Sequence, residues 1–436
     1  MLKESSRAAL RQMLGEMNVV DIAEEFDELE EEDVIRVFRI LPKDKAAEVF
    51  SYLNPDVQQG IIEVITDREI GGIIDELFLD DAVDFIEEMP ADIIKRVLAN
   101  ITPDRRKDIN RFLKYPEDSA GSIMTIEYVD LKSPMTLADA FSYIQRTATD
   151  KETIYTCYVT DNMNKLIGIV SARTLLLADQ ESTVGDIMEP NVIFAYTHDD
   201  REELLASFNK YGFIAMPVVD NEEHLVGIIT FDDVFTVQEE EITEDFEKMA
   251  AMSPSEAPYL ETSIFEHVKH RVPWLMFLMI FAALTGNLVE LYEDSLAVLP
   301  ALVAFVPMLM NTGGNAGTQS STMIIRGMAL GELDTPDMLA VLWKELLVSL
   351  VCGAVLTIST YISVLFFGEG NMLAITVCLA LVATIIMSNI IGSLLTFCAK
   401  VFKMDPAVMA APLLTNIIDA GSLIVYFTLA RIILHI

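Results

Sequence analysis

The chain has 436 residues, with 67 acidic against 30 basic side chains and a formal net charge of −37. That balance excludes a nucleic-acid binder as first choice, because phosphate recognition needs clustered Lys and Arg. Hydrophobic residues still make up 52%, so acid and apolar sequence must be segregated; nearly all acids precede Asp294, and the longest apolar runs follow Val272. The length allows several domains. Met1 to Met13 is polar and charged, unlike a cleavable signal, so the N-terminal half is expected to stay in the cytosol. Cys157, Cys352, Cys378 and Cys398 show no metal-like spacing and read as reduced core residues.

Short amphipathic helices are predicted from about residue 20 to 115, with Ile35, Val37, Phe38 and Leu41 on one face. A punctuation recurs at Leu41-Pro42-Lys43-Asp44, Leu53-Asn54-Pro55-Asp56, Met89-Pro90-Ala91-Asp92 and Ile101-Thr102-Pro103-Asp104. Pro is tolerated at the start of a helix, and Asp in the first turn suits the helix dipole. Helices restarted this way predict a helical-repeat superhelix, each unit burying its face on the next. Most of the acids read as a solvated face. Asp80 and Asp84 are four apart and share a helix side, where two like charges repel and a divalent cation would relieve them.

From Ser122 to about Gln238 the chain repeats itself. Ser122-Ile123-Met124-Thr125 opens one copy and Asp186-Ile187-Met188-Glu189-Pro190 the other. Each copy then has a helix (Leu137 to Thr147; Arg201 to Lys210), two strands joined by a polar turn, and a closing helix. The strands are Tyr155–Asp161 with Lys165–Ser171, and Ala215–Asp220 with His224–Thr230. The doubled pattern resembles a tandem pair of cystathionine-β-synthase-type (CBS) domains. That resemblance implies a possible adenine-nucleotide site at a Gly-x-x-Ser/Thr-x-x-Asp motif, with the hydroxyl toward phosphate and the Asp toward ribose. The second copy carries it intact at Gly227, Thr230 and Asp233; the first has Gly168 and Ser171 but Thr174 in the Asp place. ATP is therefore expected at one site per pair at most. His198 and His224 read as loop histidines.

Residues 239–271 are predicted to form a charged connecting helix, with dense acid from Glu239 to Glu247 that would repel itself. It reads either as a solvated linker or as a metal-sensing surface facing other acids. Five spans are predicted at about Val272–Val289, Leu296–Ile325, Met338–Phe367, Met372–Val401 and Val408–Leu434. Lys269 and Arg271, then Arg326 and Lys344, then Lys400 and Lys403 alternate with loops carrying only acids. This gives a cytosolic N terminus and an external C terminus. Two stretches are poor lipid-facing sequence. One is Asn311-Thr312-Gly313-Gly314-Asn315-Ala316-Gly317-Thr318-Gln319-Ser320-Ser321-Thr322, whose glycines suit close helix packing. The other runs from Asp405 to Phe427 and places Asp419 inside an apolar span, with Pro412 expected to free backbone carbonyls near it. A carboxylate at that depth faces water, a partner or a passing ion, and with loose carbonyls beside it suits a hard cation.

Taken together, an acidic helical-repeat domain, a CBS pair, an acidic connecting helix and five spans carrying NTGGNAGTQSST and DPA…PLLTNIID resemble the MgtE family of magnesium channels over essentially the whole chain. The implied organisation is a multi-domain membrane protein. It comprises an all-α helical-repeat domain (1–121), an α/β tandem CBS pair (122–183 and 184–238), a connecting plug helix (239–271) and an all-α five-helix transmembrane domain (272–436). The resemblance implies a homodimer in the plasma membrane with the pore between the two copies. There Asp419 is the central carboxylate, Thr415 and the Ala411 backbone carbonyl complete its site, and Asp405 is an acid at the cytosolic mouth. It also implies regulatory Mg²⁺ held by Asp80 and Asp84, by Asp200, Glu202 and Asp233, and by Glu241, Glu244 and Asp245, which shuts the pore. Gly212 stands where the family pattern has a further acid. The competing readings are a coupled carrier of Mg²⁺ or Co²⁺ and a membrane-anchored nucleotide-sensing protein. No His/Cys/Ser constellation near the membrane motifs suggests an enzyme.

Overall fold

The computed structural model describes residues 7–27, 29–179, 181–255, 259, 260, 262–409 and 411–435; the side chains of 7–9, 27, 31, 32, 44, 294–296, 409 and 411 lie outside this description. It divides into two compact units, Met1–Gln238 and Glu239–Ile436.

The first unit begins with short helices from α1 (Arg7–Glu16) to α9 (Pro103–Phe112). The Pro-Asp punctuation does start helices: α4 (Lys43–Ser51), α5 (Pro55–Val64), α8 (Ala91–Asn100) and α9 follow Pro42, Asn54, Pro90 and Thr102. Alternate helices pack together, α4 on α6 (Asp67–Ile74), α6 on α8, and α7 (Leu79–Glu88) on α9. Each short helix hides its apolar face only because a helix two places along the chain covers it. Phe38, Phe50 and Phe85 meet edge to face at the centre, with centroids 6.2 and 5.1 Å apart.

The duplicated region forms two three-stranded sheets. The first comprises β1 (Asp130–Lys132), β2 (Thr156–Thr160) and β3 (Leu166–Ser171), with α10 (Leu137–Thr147) crossing from β1 to β2. After α11 (Ala172–Leu177) and α12 (Val184–Ile187), the second comprises β4 (Ala195–Tyr196), β5 (Ala215–Val219) and β6 (Leu225–Thr230), with α13 (Arg201–Tyr211) as its crossover. The first strand of each sheet pairs parallel and the other two antiparallel. The parallel edge strands β1 and β4 were not legible as separate elements. The copies also exchange their opening segments. Thr125 of the first bridges Ile228 of the second, and Glu189 of the second bridges Ile169 of the first. Gly227 and Gly168 allow this, since a Cβ on Gly227 would stand 2.9 Å from Met124 Sδ and one on Gly168 2.7 Å from Met188 Sδ.

The connecting helix differs from the expected 239–271. The helix α14 (Phe231–Met249) starts as the closing helix of the second repeat and stops well before the membrane region. Ala251 then turns left-handed at φ 54°, and the Glu247 carboxylate accepts the Ser255 amide proton at 2.7 Å, turning the chain away from the helix. The helix α15 (Ile264–Glu290) starts afresh from a Ser263–Glu266 capping box, so Lys269, His270 and Arg271 lie inside it.

The rest of the second unit contains α16 (Glu293–Val298), α17 (Val306–Ala329), α18 (Met338–Phe366), α19 (Asn371–Val401) and α20 (Ala411–Leu434). Among the described residues, four helices are long and apolar enough to cross a membrane: those holding Ile264–Glu290, Thr335–Phe366, Asn371–Val401 and Pro412–Leu434. The expected second span, Leu296–Ile325, is broken into α16, a 3₁₀ turn at Pro300–Phe305 and α17. Its two prolines each begin a new helical segment, and the polar run within α17 keeps it outside the apolar group. The expected effect of Pro412 is also corrected. It sits in the first turn of α20, where its missing N–H costs no bond, so it starts the helix rather than loosening carbonyls around Asp419. All four cysteines are free, but only Cys157 and Cys378 are buried; Cys352 and Cys398 are exposed on their helices, where a weakly polar thiol suits an apolar surround.

The glycines of α17 serve packing, as their small size predicts. The helix α17 runs parallel to α19, with Ser320 Oγ 3.1 Å from Ser393 Oγ and Ser321 Oγ 3.0 Å from Thr396 Oγ1. Just before these rungs on both helices, a Cβ on Gly392 would come within 2.6 Å of the Gly317 carbonyl oxygen. Backbone cannot step aside as a side chain can, and overpacking of this kind costs about 1–3 kcal/mol. Gly392→Ala is therefore expected to lower the thermal midpoint of the purified protein in detergent by several degrees, while Gly370→Ala, in open space, leaves it in place.

Candidate functional site

The membrane motifs meet on two neighbouring helices. Asp419 is half-buried on α20, with Thr415 one turn before it; Ala411 opens the helix, and its side chain lies outside the described residues. The methyl of Thr415 rests against α17, 3.0 Å from where a Cβ on Gly314 would stand. Ile418 and Ser422 cover Gly313 in the same way, at 3.1 and 3.0 Å. These contacts bury one face of α17. The other face carries Asn311, Asn315 and Gln319, four residues apart and all exposed. An amide stripe on a helix in an apolar bundle faces water or protein, since lipid offers it no hydrogen bond.

One end of this unit is marked by ion pairs. Lys400 lies 3.3 Å from Asp334, joining the loop after α17 to the end of α19. Asp405 follows five residues after Lys400, and its Oδ1 accepts the Ala407 amide proton at 2.8 Å. Glu244 and Asp245, near the end of α14, are brought close to Asp405 through Lys248. Tyr426 donates to the Leu302 carbonyl at 3.1 Å on the bundle's buried side.

In the first unit, Asp80 and Asp84 lie on α7 as expected, together with Asp81. Asp80 is buried, and its Oδ1 accepts the Asp81 amide proton at 3.0 Å. Burial pushes its carboxyl well above the ordinary range, and the charges of Asp233 and Asp81 push it further. Asp84 still reaches solvent, and its carboxyl is raised by partial desolvation and then by Asp81 and Asp233. Asp81 is pushed up to about 7, by burial and then by Asp233 and Asp232. Glu152 is pushed up to about 8, by burial and then by Asp232 and Asp233. For Asp233 burial outweighs the hydrogen bonds from Thr230 and takes it to about 6. Carboxylates that raise one another are stabilised by any divalent cation placed among them. Asp81, Asp232 and Glu152 were missed in the sequence. Asp81 could have been found beside its neighbours, but Glu152 sits in a loop with no pattern to mark it. Asp200 and Glu202 stand apart from this group. Asp200 caps α13 by accepting the Glu202 amide proton at 2.9 Å, and both are exposed. Glu241 lies on α14 one turn before Glu244 and Asp245. Among the described residues, no three His, Cys, Asp or Glu side chains are already arranged around a metal position.

The α7 cluster has a pH signature. These carboxyls bind protons more tightly in the folded chain than in the unfolded one, so their contribution to stability is full below the ordinary carboxylate pKa of about 4. It is lost as pH rises through about 6 to 8. With chelator present, hydrogen exchange along α7 in the full chain, corrected for intrinsic rates, is expected to be faster at about pH 8 than at about pH 5.5. Mg²⁺ should remove the difference. Equal protection at both pH values would rule out the strained cluster.

Comparison with known proteins finds the magnesium transporter MgtE of Thermus thermophilus 36% identical over 439 residues, covering 100% of this chain and 97% of the relative. The chain belongs to the MgtE family. Its residues 17–118 match the MgtE intracellular N domain, 120–181 and 184–240 match the CBS domain, and 306–429 match MgtE, the divalent cation transporter. The MgtE of Bacillus subtilis is 29% identical over 100% of this chain and 96% of its own length. Among solved structures, the cytosolic domain of the Mg²⁺ channel MgtE in complex with ATP shares 38% identity, with a TM-score of 0.52 over 54% of this chain and 96% of that one. An MgtE protein is a membrane transporter and not an enzyme.

Within this MgtE chain the nucleotide motif closes on itself. Thr230 Oγ1 donates to Asp233 Oδ2 at 2.5 Å, and the Thr230 amide reaches the same oxygen at 3.2 Å. Gly227 is needed for packing, because a Cβ would stand 2.7 Å from the Thr125 carbonyl oxygen. Gly212, where the family pattern has an acid, ends α13 at φ 66°, a left-handed cap that favours glycine.

Proposed function

We propose that this protein is a Mg²⁺-selective channel for magnesium uptake across the plasma membrane, working as a homodimer with its pore between the two membrane units. The observation that carries this reading is Asp419, half-buried on α20, the helix packed against α17, whose uncovered face carries the exposed amide stripe. A second copy facing that stripe would supply a second Asp419 and enclose a polar path. Mg²⁺ gives up its waters reluctantly, so two carboxylates, Thr415 and the Ala411 carbonyl would hold it largely hydrated. The close relatives' names, magnesium transporters, support the ion. Asp405 then lies at the cytosolic mouth, with the N terminus cytosolic and the C terminus external.

We propose further that cytosolic Mg²⁺ shuts the channel. At low Mg²⁺ the acids Asp80, Asp84, Asp200, Glu202, Asp233, Glu241, Glu244 and Asp245 repel; at high Mg²⁺ bridging ions favour the state in which α14 covers the mouth. This is differential binding to two states. The α7 cluster of raised carboxyls supports a site of that kind. ATP binding at Gly227, Thr230 and Asp233 is proposed from the motif and from the ATP complex of the related cytosolic domain. Patch-clamp recording with Mg²⁺ varied on the cytosolic face tests the whole reading. Single-channel currents that close as Mg²⁺ rises are expected. Flux that strictly requires a proton or sodium gradient would identify a coupled carrier instead.

A further inference from the structure

The end of α14 meets Asp405 through an ammonium group. Lys248 Nζ lies 2.7 Å from Asp405 Oδ2 and also contacts Glu244 Oε1, one helical turn back. Asp405 cannot swing away freely, because its other oxygen accepts the Ala407 amide proton. All three side chains are sheltered, 24% exposed for Lys248 and 32% for each carboxylate, so salt screens the contact less than an open surface pair. Burial works against the Lys248 charge, but its hydrogen bonds to Asp405 and Glu244 outweigh that, and the amine is held above the ordinary lysine range. Asp245 stands nearby, its carboxyl raised by burial and then by Asp405. Lys248 thus supplies counter-charge to Asp405 and Glu244, with the Asp245 carboxylate close by.

We propose that Lys248 is a built-in latch, a tethered cation that partly offsets the repulsion among these acids and holds the end of α14 near the mouth acid Asp405 in the absence of metal, without itself shutting the pore, and so preorganises the surface on which Mg²⁺ closes the channel. The regulatory half of this rests on the gated-channel reading; the docking half does not. Mg²⁺ then binds carboxylates already held together, and the free energy of bringing them together has been met by the ammonium.

The test compares the full-length protein with Lys248→Met and Lys248→Arg in lipid vesicles. Hydrogen exchange over residues 239–252 and 402–409, without Mg²⁺, should rise in Lys248→Met and stay at the wild-type level in Lys248→Arg. The Mg²⁺ concentration that half-closes the flux should increase about three- to tenfold in Lys248→Met, in line with losing one sheltered ion pair. Unchanged exchange in Lys248→Met overturns the latch, whatever the flux does. Raised exchange with closure at the same or lower Mg²⁺ overturns its regulatory role, because the lysine would then be inert or a competitor for the acids. A wild-type protein that never closes with Mg²⁺ defeats the gated-channel reading, and the exchange comparison still judges the docking.

Discussion

Asp419→Ala is expected to abolish Mg²⁺ uptake while leaving the purified protein folded and its assembly unchanged. Asp419 is half-buried, and among the described residues its carboxylate makes no hydrogen bond or ion pair whose partner would be stranded by its removal. The loss falls on the ion. In a narrow path of low dielectric, a carboxylate a few ångströms from a divalent cation contributes several kcal/mol, and Thr415 and a backbone carbonyl supply only dipoles. Asp419→Asn separates charge from shape. The amide keeps the volume and an oxygen, so uptake should still fall at least about tenfold if charge is what matters. Uptake into proteoliposomes, with size-exclusion chromatography on the same samples, reads both halves. Normal uptake by Asp419→Ala would sink the pore assignment.

Neutralising the acids of α14 together, as Glu241→Gln, Glu244→Gln and Asp245→Asn, is expected to leave the channel open at millimolar-range Mg²⁺. Bridging by a divalent ion needs formal charge on both sides of the bridge, and amides bind Mg²⁺ far more weakly than carboxylates. The substitutions also remove repulsion between neighbouring acids, which by itself would favour the closed arrangement. The expected sign therefore requires ion bridging to dominate repulsion. Flux measured across a range of cytosolic Mg²⁺ decides between them. Closure unchanged from wild type would refute a sensor role for these three residues. Uptake at low Mg²⁺ should match wild type, since none of the three lies on α20.

Much of the architecture follows from the sequence alone. The segregation of acid from apolar residues, the Pro-Asp helix starts, the duplicated strand pairs and the apolar spans each encode a local preference: a cap, a period, a burial pattern. Such preferences can be read one residue at a time, and they placed Asp80, Asp84 and Asp419 on the helices that carry them. What the tertiary structure decided are contacts between segments far apart in the chain. It exchanged the opening segments of the two repeats, so that Met124 packs on Gly227 and Met188 on Gly168. It brought Glu152 to the acids of α7, because the loop that carries it folds back there. It ended the connecting helix at Met249 and restarted the chain at Ile264, where the sequence suggested one continuous charged helix. It also turned Asp405 from a lone acid into the partner of Lys248. None of these has a fixed spacing in sequence, since each depends on which surfaces meet once the helices have packed.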